Sequence, residues 1–124
     1  MEAIRRKHHD LIAWQQGIAL VKATYRLTSS FPDSERFGLS SQMRRAAVSV
    51  PANIAEGVSR NNSRERIQFL AIARSSLNEL ETHAILTREL GFASDVQELM
   101  QLLDREFGLI TGLMNSERRK GASK

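Results

Sequence analysis

The stretch Gly38-Leu39-Ser40-Ser41-Gln42-Met43-Arg44-Arg45-Ala46-Ala47-Val48-Ser49-Val50-Pro51-Ala52-Asn53-Ile54-Ala55-Glu56-Gly57 decides how this chain folds. Its apolar members Met43, Ala46, Ala47, Val50 and Ile54 recur at steps of three and four, the spacing that lines one face of an α-helix. A helix starting between Asp33 and Ser40 and running to about Glu56 is therefore predicted, with Gly57 as a left-handed stop. Pro51 falls inside it. A proline has no N–H for the carbonyl four residues back and its ring crowds that turn, so a kink is predicted between Val48 and Ala52. Gln42, Ser49 and Asn53 lie on the same helix around Pro51, where their polar groups are candidates to satisfy the freed carbonyl.

The same period extends outward in both directions. Upstream, Leu11, Trp14, Ile18, Val21, Tyr25 and Thr28 form a stripe on a first helix, with Asp10 as its expected N-cap and Pro32 in the turn that ends it. Downstream, Ser59 to Ser63 reads as loop, and Asn62 with Glu65 reads as a capping box opening a third helix that runs to about Leu90, before Gly91. Ser94 with Gln97 predicts a second box. Beyond it Val96, Leu99, Leu103, Phe107, Ile110 and Leu113 carry a fourth helix to about Ser116. Four helices with short connections predict an all-α fold, an antiparallel up-down-up-down four-helix bundle with its second helix kinked at Pro51. Residues 10–116 form the bundle, residues 1–9 a basic N-terminal arm, and residues 117–124 a basic, frayed C-terminal tail.

Composition narrows the function classes. At 124 residues, 41% hydrophobic and 26% charged, the chain fits one ordinary globular core. It has no cysteine, so disulfides, thiolate metal sites and cysteine nucleophiles are excluded. No apolar run approaches the roughly 20 residues of a membrane span, and the N-terminus lacks a secretory pattern, so a cytoplasmic location is the expectation. A di-iron bundle needs Glu-x-x-His pairs on two helices. His8 and His9 lie in the arm, and His83 stands alone, four residues after Glu79. With no phosphate loop and no base placed to activate a serine, no enzyme, cofactor or metal is expected.

The stretch from Phe31-Pro32 through Gly38–Gly57, together with Trp14-Gln15 and Phe69-Leu70-Ala71-Ile72-Ala73-Arg74-Ser75-Ser76-Leu77-Asn78-Glu79-Leu80-Glu81, closely resembles a four-helix-bundle family. Its members include proteins encoded by intervening sequences inside bacterial large-subunit ribosomal RNA genes, sometimes labelled S23 ribosomal proteins. Arg74 stands where the family commonly has glycine, which removes the case for a close backbone contact there and leaves the fold intact. The resemblance implies a kinked bundle assembling into a ring of five, in a family of poorly defined molecular role. In architecture alone it is similar to the basic accessory protein of diversity-generating retroelements, which works with a reverse transcriptase and its RNA.

Apart from the resemblance, the patterns bear on assembly. Ile67, Phe69, Leu70, Ala71, Ile72 and Ala73 cover nearly the whole circumference of the third helix, and Leu99, Met100, Leu102, Leu103, Leu109, Ile110, Leu113 and Met114 thicken the fourth. Either the core-facing stripe is wide, or Phe69, Ile72, Leu99, Leu102 and Leu109 meet another copy. Arg44 and Arg45 are expected level with Glu79 and Glu81, as ion pairs in a structural polar network with Gln42, Ser49 and Asn53.

Charge is the remaining guide. The net charge is +4, and residues 1–9 and 117–124 carry all of the excess, because residues 10–116 hold eleven bases against twelve acids. In such a bundle Arg5, Arg6 and Lys7, the loop-flanking Arg60, Arg64 and Arg66, and Arg118, Arg119, Lys120 and Lys124 gather at one end. Asp33, Glu35, Glu89, Asp95 and Glu98 lie at the other against Arg36 and Arg88. In a cyclic homo-oligomer the basic ends form a ring that attracts RNA or DNA backbones without reading sequence. A solubilising charge distribution, or a scaffold recruiting another polypeptide, fits the same pattern.

Overall fold

In the computed structural model, which describes residues 6–122, a 3-10 turn at Lys7–Asp10 leads into α1 (Ile12–Thr28). A second such turn at Asp33–Glu35 precedes α2 (Leu39–Val58), and α3 (Ser63–Glu89) and α4 (Gln97–Ala122) complete the chain. Among the described residues there is no strand. The helical period read from the sequence is thus the period of the fold.

The helices pack as a closed ring in which α1 touches α2 and α4, and α3 touches the same two, while the diagonal pairs stay apart. Neighbours run in opposite directions. Gly17 lies against Pro51 and Thr28 against Arg44; further round, Ser49 meets Ser76 and Met43 meets Thr87. α4 returns beside both α3 and α1, with Glu117 reaching Ser63, Glu106 reaching Gly17 and Glu98 reaching Arg26. Leu20, Met43, Val50, Ile54, Leu77, Leu80, Leu103 and Ile110 are fully enclosed at the centre.

The first helix is turned about its axis relative to the expected stripe. Its core face is Ala13, Gly17, Leu20, Ala23, Thr24 and Thr28, whereas Ile18 and Tyr25 are exposed and Leu11, Trp14 and Val21 are half-buried. Small residues win the inner face because the helices approach closely: a Cβ on Gly17 would stand 3.2 Å from Pro51 Cβ and 3.0 Å from Glu106 Oε2. Trp14 or Ile18 could not occupy that gap. The core threonines cost little there, since Thr24 donates to the Leu20 carbonyl and Thr28 to that of Thr24, each at 2.8 Å.

Several helix ends also differ from expectation. Asp10 belongs to the 3-10 turn, and Leu11 occupies the N-cap of α1 without a side-chain bond. Gly57 lies within α2 in a helical conformation, and its role is contact: a Cβ there would meet Phe69 Cβ at 3.1 Å and the Arg66 carbonyl at 3.3 Å. Among the described residues the left-handed glycine is Gly91, at φ 76°, which closes α3 as expected. Asn62 accepts from the Glu65 N–H at 2.9 Å, which forms the Asn62 half of the anticipated box at the start of α3. At α4 the expected Ser94 is replaced by Asp95, whose Oδ1 accepts from the Gln97 N–H. α2 runs on as one helix through Pro51. Finally, residues 117–122 are not frayed but continue α4.

Two substitutions probe these contacts. Asn62→Ala is expected to cost about 1 kcal/mol of stability in thermal or urea denaturation, with Asn62→Asp close to the parent. Gly57→Val, which forces a branched side chain between α2 and α3, is expected to cost about 1–3 kcal/mol by the same measurement.

Candidate nucleic-acid interface

The end of the bundle where α1 begins, α2 passes into α3, and α4 finishes is built by the antiparallel packing. Ser63 opens α3 and Gly121 sits near the end of α4, and a Cβ on Gly121 would lie 3.7 Å from Ser63 Cβ. Around this junction Lys7, Leu11, Val58, Arg66, Leu113, Glu117 and Lys120 line a pocket of about 280 Å³. The arm, α3 and α4 therefore place cations from distant parts of the sequence within one concavity.

The cations are not all equally available. Glu117, largely enclosed, accepts from Ser63 Oγ at 2.8 Å and pairs with Arg66 and Lys120, each at 3.5 Å. Its partial burial pushes the carboxyl up, but the Ser63 hydroxyl and the Lys120 and Arg66 charges outweigh this and hold it below the usual range. Arg60 donates to Glu56 at 2.9 Å and lies over the Phe69 ring. Arg118 donates to Asn115. Arg6, Lys7 and Arg64 are exposed, with no ion pair among the described residues. Arg5 and Lys124 lie outside the described residues. Extending α4 to Ala122 fixes Arg118, Arg119 and Lys120 on a helix rather than on a loose tail.

Beside Arg6 and Lys7 the structure assembles an aromatic group that helical spacing did not suggest. The rings of His8 and His9 lie 4.4 Å apart, and each is 5.2 Å from the Trp14 ring. Desolvation, with the neighbouring His9 and Arg6, lowers the tendency of His8 to carry a proton. The i to i+5 and i+6 spacing of these rings crosses a helix start, so the period of α1 gave no signal for it.

The expected polar network forms only in part. Asn53 Nδ2 donates to the carbonyl and hydroxyl of Ser49, and the hydroxyls of Ser49 and Ser76 lie 2.8 Å apart, bonding α2 to α3. The carbonyl that Asn53 serves is that of Ser49, not the Ala47 carbonyl that Pro51 leaves without its helical donor. The ion pairs predicted for Arg44 and Arg45 with Glu79 and Glu81 are absent among the described residues. Arg44 is turned the other way, to α1, where its Nε donates to Thr28 Oγ1 at 2.8 Å and its guanidinium lies 4.5 Å from the Tyr25 ring centre. Gln42, Arg45 and Glu79 are exposed, and Glu81 is half-buried.

The proposed subunit seam also needs redrawing. Leu99 is only 2% exposed and belongs to the core of its own subunit, and Leu102 and Leu109 pack against that core, as do Met100, Phe107 and Leu113. α4 thus turns Leu99 fully into its own bundle and leaves Leu102 and Leu109 half-buried between α1 and α3. Ile72 does remain half exposed, and Phe69 lies beneath Arg60. Other large apolar side chains left open are Ile12, Ile18 and Tyr25 on α1, Phe37 before α2, Val48 on α2, Ile85 and Leu86 on α3, and Leu90 at its end.

At the opposite end Arg26 pairs with Glu98 at 2.7 Å beside a pocket of about 440 Å³ between α1 and the α3–α4 connection. Among the described residues no three His, Asp or Glu side chains are grouped to hold a metal ion, and no helix is long and apolar enough to cross a membrane.

Comparison with known proteins bears on the chain as a whole. No match was found among curated proteins. The family model described as 23S rRNA-intervening sequence protein matches residues 9–112, which takes in α1, α2, α3 and most of α4, including Trp14, the Pro51 helix and the α3 stretch on which the resemblance rests. The chain belongs to the 23S rRNA-intervening sequence protein family.

Proposed function

We propose that this protein is a non-enzymatic homo-oligomer, a ring of five by family resemblance, that binds RNA or DNA backbones through the basic ends of its subunits. The observation that carries this reading is the convergence of Lys7, Arg66 and Lys120 on one pocket, with Arg6, Arg64 and Arg118 at the same end. Glu117 neutralises part of that charge, so a single subunit presents a modest field, and repetition around a symmetry axis multiplies it. Contacts of this kind sense phosphate spacing and release counterions rather than read bases.

Assembly is supported by apolar side chains that one subunit leaves open. Ile18, Tyr25 and Val48 on α1 and α2, and Ile72 and Leu86 on α3, lie on outer faces where a second copy can cover them. In this reading these residues extend the seam expected at Phe69, Ile72, Leu102 and Leu109, and the enclosed Leu99 is not part of it. A scaffold that recruits another polypeptide is the alternative, favoured by Phe37, which is 89% exposed at the end away from the basic pocket.

Fluorescence anisotropy with a short single-stranded RNA and a DNA duplex tests the binding. Replacing Arg6, Lys7 and Arg64 by Ala is expected to lower the slope of log affinity against log salt by roughly one unit for each phosphate that the parent neutralises and the variant does not. Unchanged affinity and slope would eliminate the basic end as the binding surface. Assembly is tested by sedimentation at micromolar concentration: an oligomer is expected for the parent and dissociation for Ile18→Glu or Ile72→Glu, and a parent that sediments as a monomer would refute it.

A further inference from the structure

The least expected group in the core is a carboxyl. Glu106 is fully enclosed on α4, at the inward position between Leu103 and Ile110, and neither of its oxygens has a hydrogen-bond partner. Its Oε2 lies 3.0 Å from where a Gly17 Cβ would stand, and Pro51 Cβ and Cα approach that same point at 3.2 and 3.4 Å. Three helices therefore meet at one spot: the residue without a side chain on α1, the residue without an N–H on α2, and an acid on α4. One turn before Pro51, the Ala47 carbonyl has lost the donor that a helix normally supplies. An ionised carboxyl can only accept, but a protonated one can donate.

We propose that Glu106 is a proton-binding latch: it enters the core as the neutral acid and donates its hydroxyl to the Ala47 carbonyl that Pro51 leaves open, joining α4 to α2 across the gap that Gly17 provides on α1. Burial pushes the Glu106 carboxyl up from the usual 4.5 to about 8, and the nearby Arg105 only partly opposes this. The faces of α1 and α2 turned to the core present Leu20, Thr24, Val50 and Ile54, none of them ionisable. On α3 the buried titratable group is His83. Folding between these two pH values takes up a proton. A carboxyl whose folded value exceeds its unfolded one contributes stability that is fully present below pH 4.5 and lost as the pH climbs toward 8.

The test is a set of urea unfolding curves across that range for the parent and Glu106→Gln. The folding constant of the parent is expected to fall, relative to the Gln variant, by up to about tenfold per pH unit through the window and to level off above it. Glu117 and His8 titrate in both proteins and cancel in the difference. Carbon-13 NMR of the parent, needing no variant at this site, is expected to show one glutamate carboxyl titrating near pH 8, absent from Glu106→Gln. In Pro51→Ala, which restores a donor to Ala47, that midpoint is expected to move down. All glutamates titrating in the ordinary range would overturn the buried acid, as would equal pH slopes in the two proteins. A midpoint unmoved in Pro51→Ala would overturn the bond to Ala47.

Discussion

The close approach of α1 to α2 and α4 at Gly17 sets the rest of the bundle. Because no side chain stands at residue 17, Pro51 and Glu106 come within contact of the α1 backbone, and α1 must present its smallest face to them. That fixes its rotation. Leu20, Thr24 and Thr28 then point inward, and Ile18 and Tyr25 point out. Arg44 follows the same geometry, because the outward turn of Tyr25 gives its guanidinium a ring to lie on and Thr28 gives its Nε an acceptor. One missing side chain thereby decides which apolar surface the subunit leaves uncovered.

Much of the fold was legible because hydrophobic period is a property of the chain before it packs. Met43, Val50 and Ile54 on α2, and Leu99, Leu103 and Ile110 on α4, are buried as their spacing implies. α1 misled because its larger residues fall on one stripe and its smaller ones on another, and spacing weighted by size favours the large. Where backbones nearly touch, the small stripe is the inner one. Gly57 misled in the same way: glycine serves helix ends and close contacts alike, and only the neighbouring Phe69 and Arg66 distinguish the two. The candidate site was less legible. Which basic residues share an end followed from topology, but that Glu117 would neutralise two of them depended on side-chain geometry across α3 and α4. Glu106 did have a signal, since it continues the Leu99, Leu103, Ile110 spacing as a charged residue on an apolar stripe.

Apolar surplus and charge obey different rules in this molecule. α4 turns much of its wide stripe to α1 and α3, so part of the apolar pattern of that helix reflects contact with two neighbouring helices of the same chain. α3 has two neighbours as well, yet Ile72, Ile85 and Leu86 remain open, because its core face is already filled by Leu70, Ala73, Leu77, Leu80 and Ala84. Charge is placed by chain ends and turns and so concentrates at the poles, whereas uncovered apolar side chains lie both at the poles, as Phe37, Leu90 and Ile12 do, and along the flanks, as Ile18, Val48 and Ile72 do.

The polar groups of the interior follow a pattern that singles out one of them. Thr24, Thr28 and Thr87 each donate to a carbonyl one turn back, so their hydroxyls are satisfied within their own helices and place no demand on packing. Ser49 and Ser76 satisfy one another across α2 and α3. Glu106 has no such local solution: neither of its oxygens finds a hydrogen-bond donor. An apolar residue of similar volume would fill the same space without a desolvation cost. A buried carboxyl is therefore tolerable there only if something at that spot needs a donor, and the carbonyl opposite a helix-interior proline is such a need.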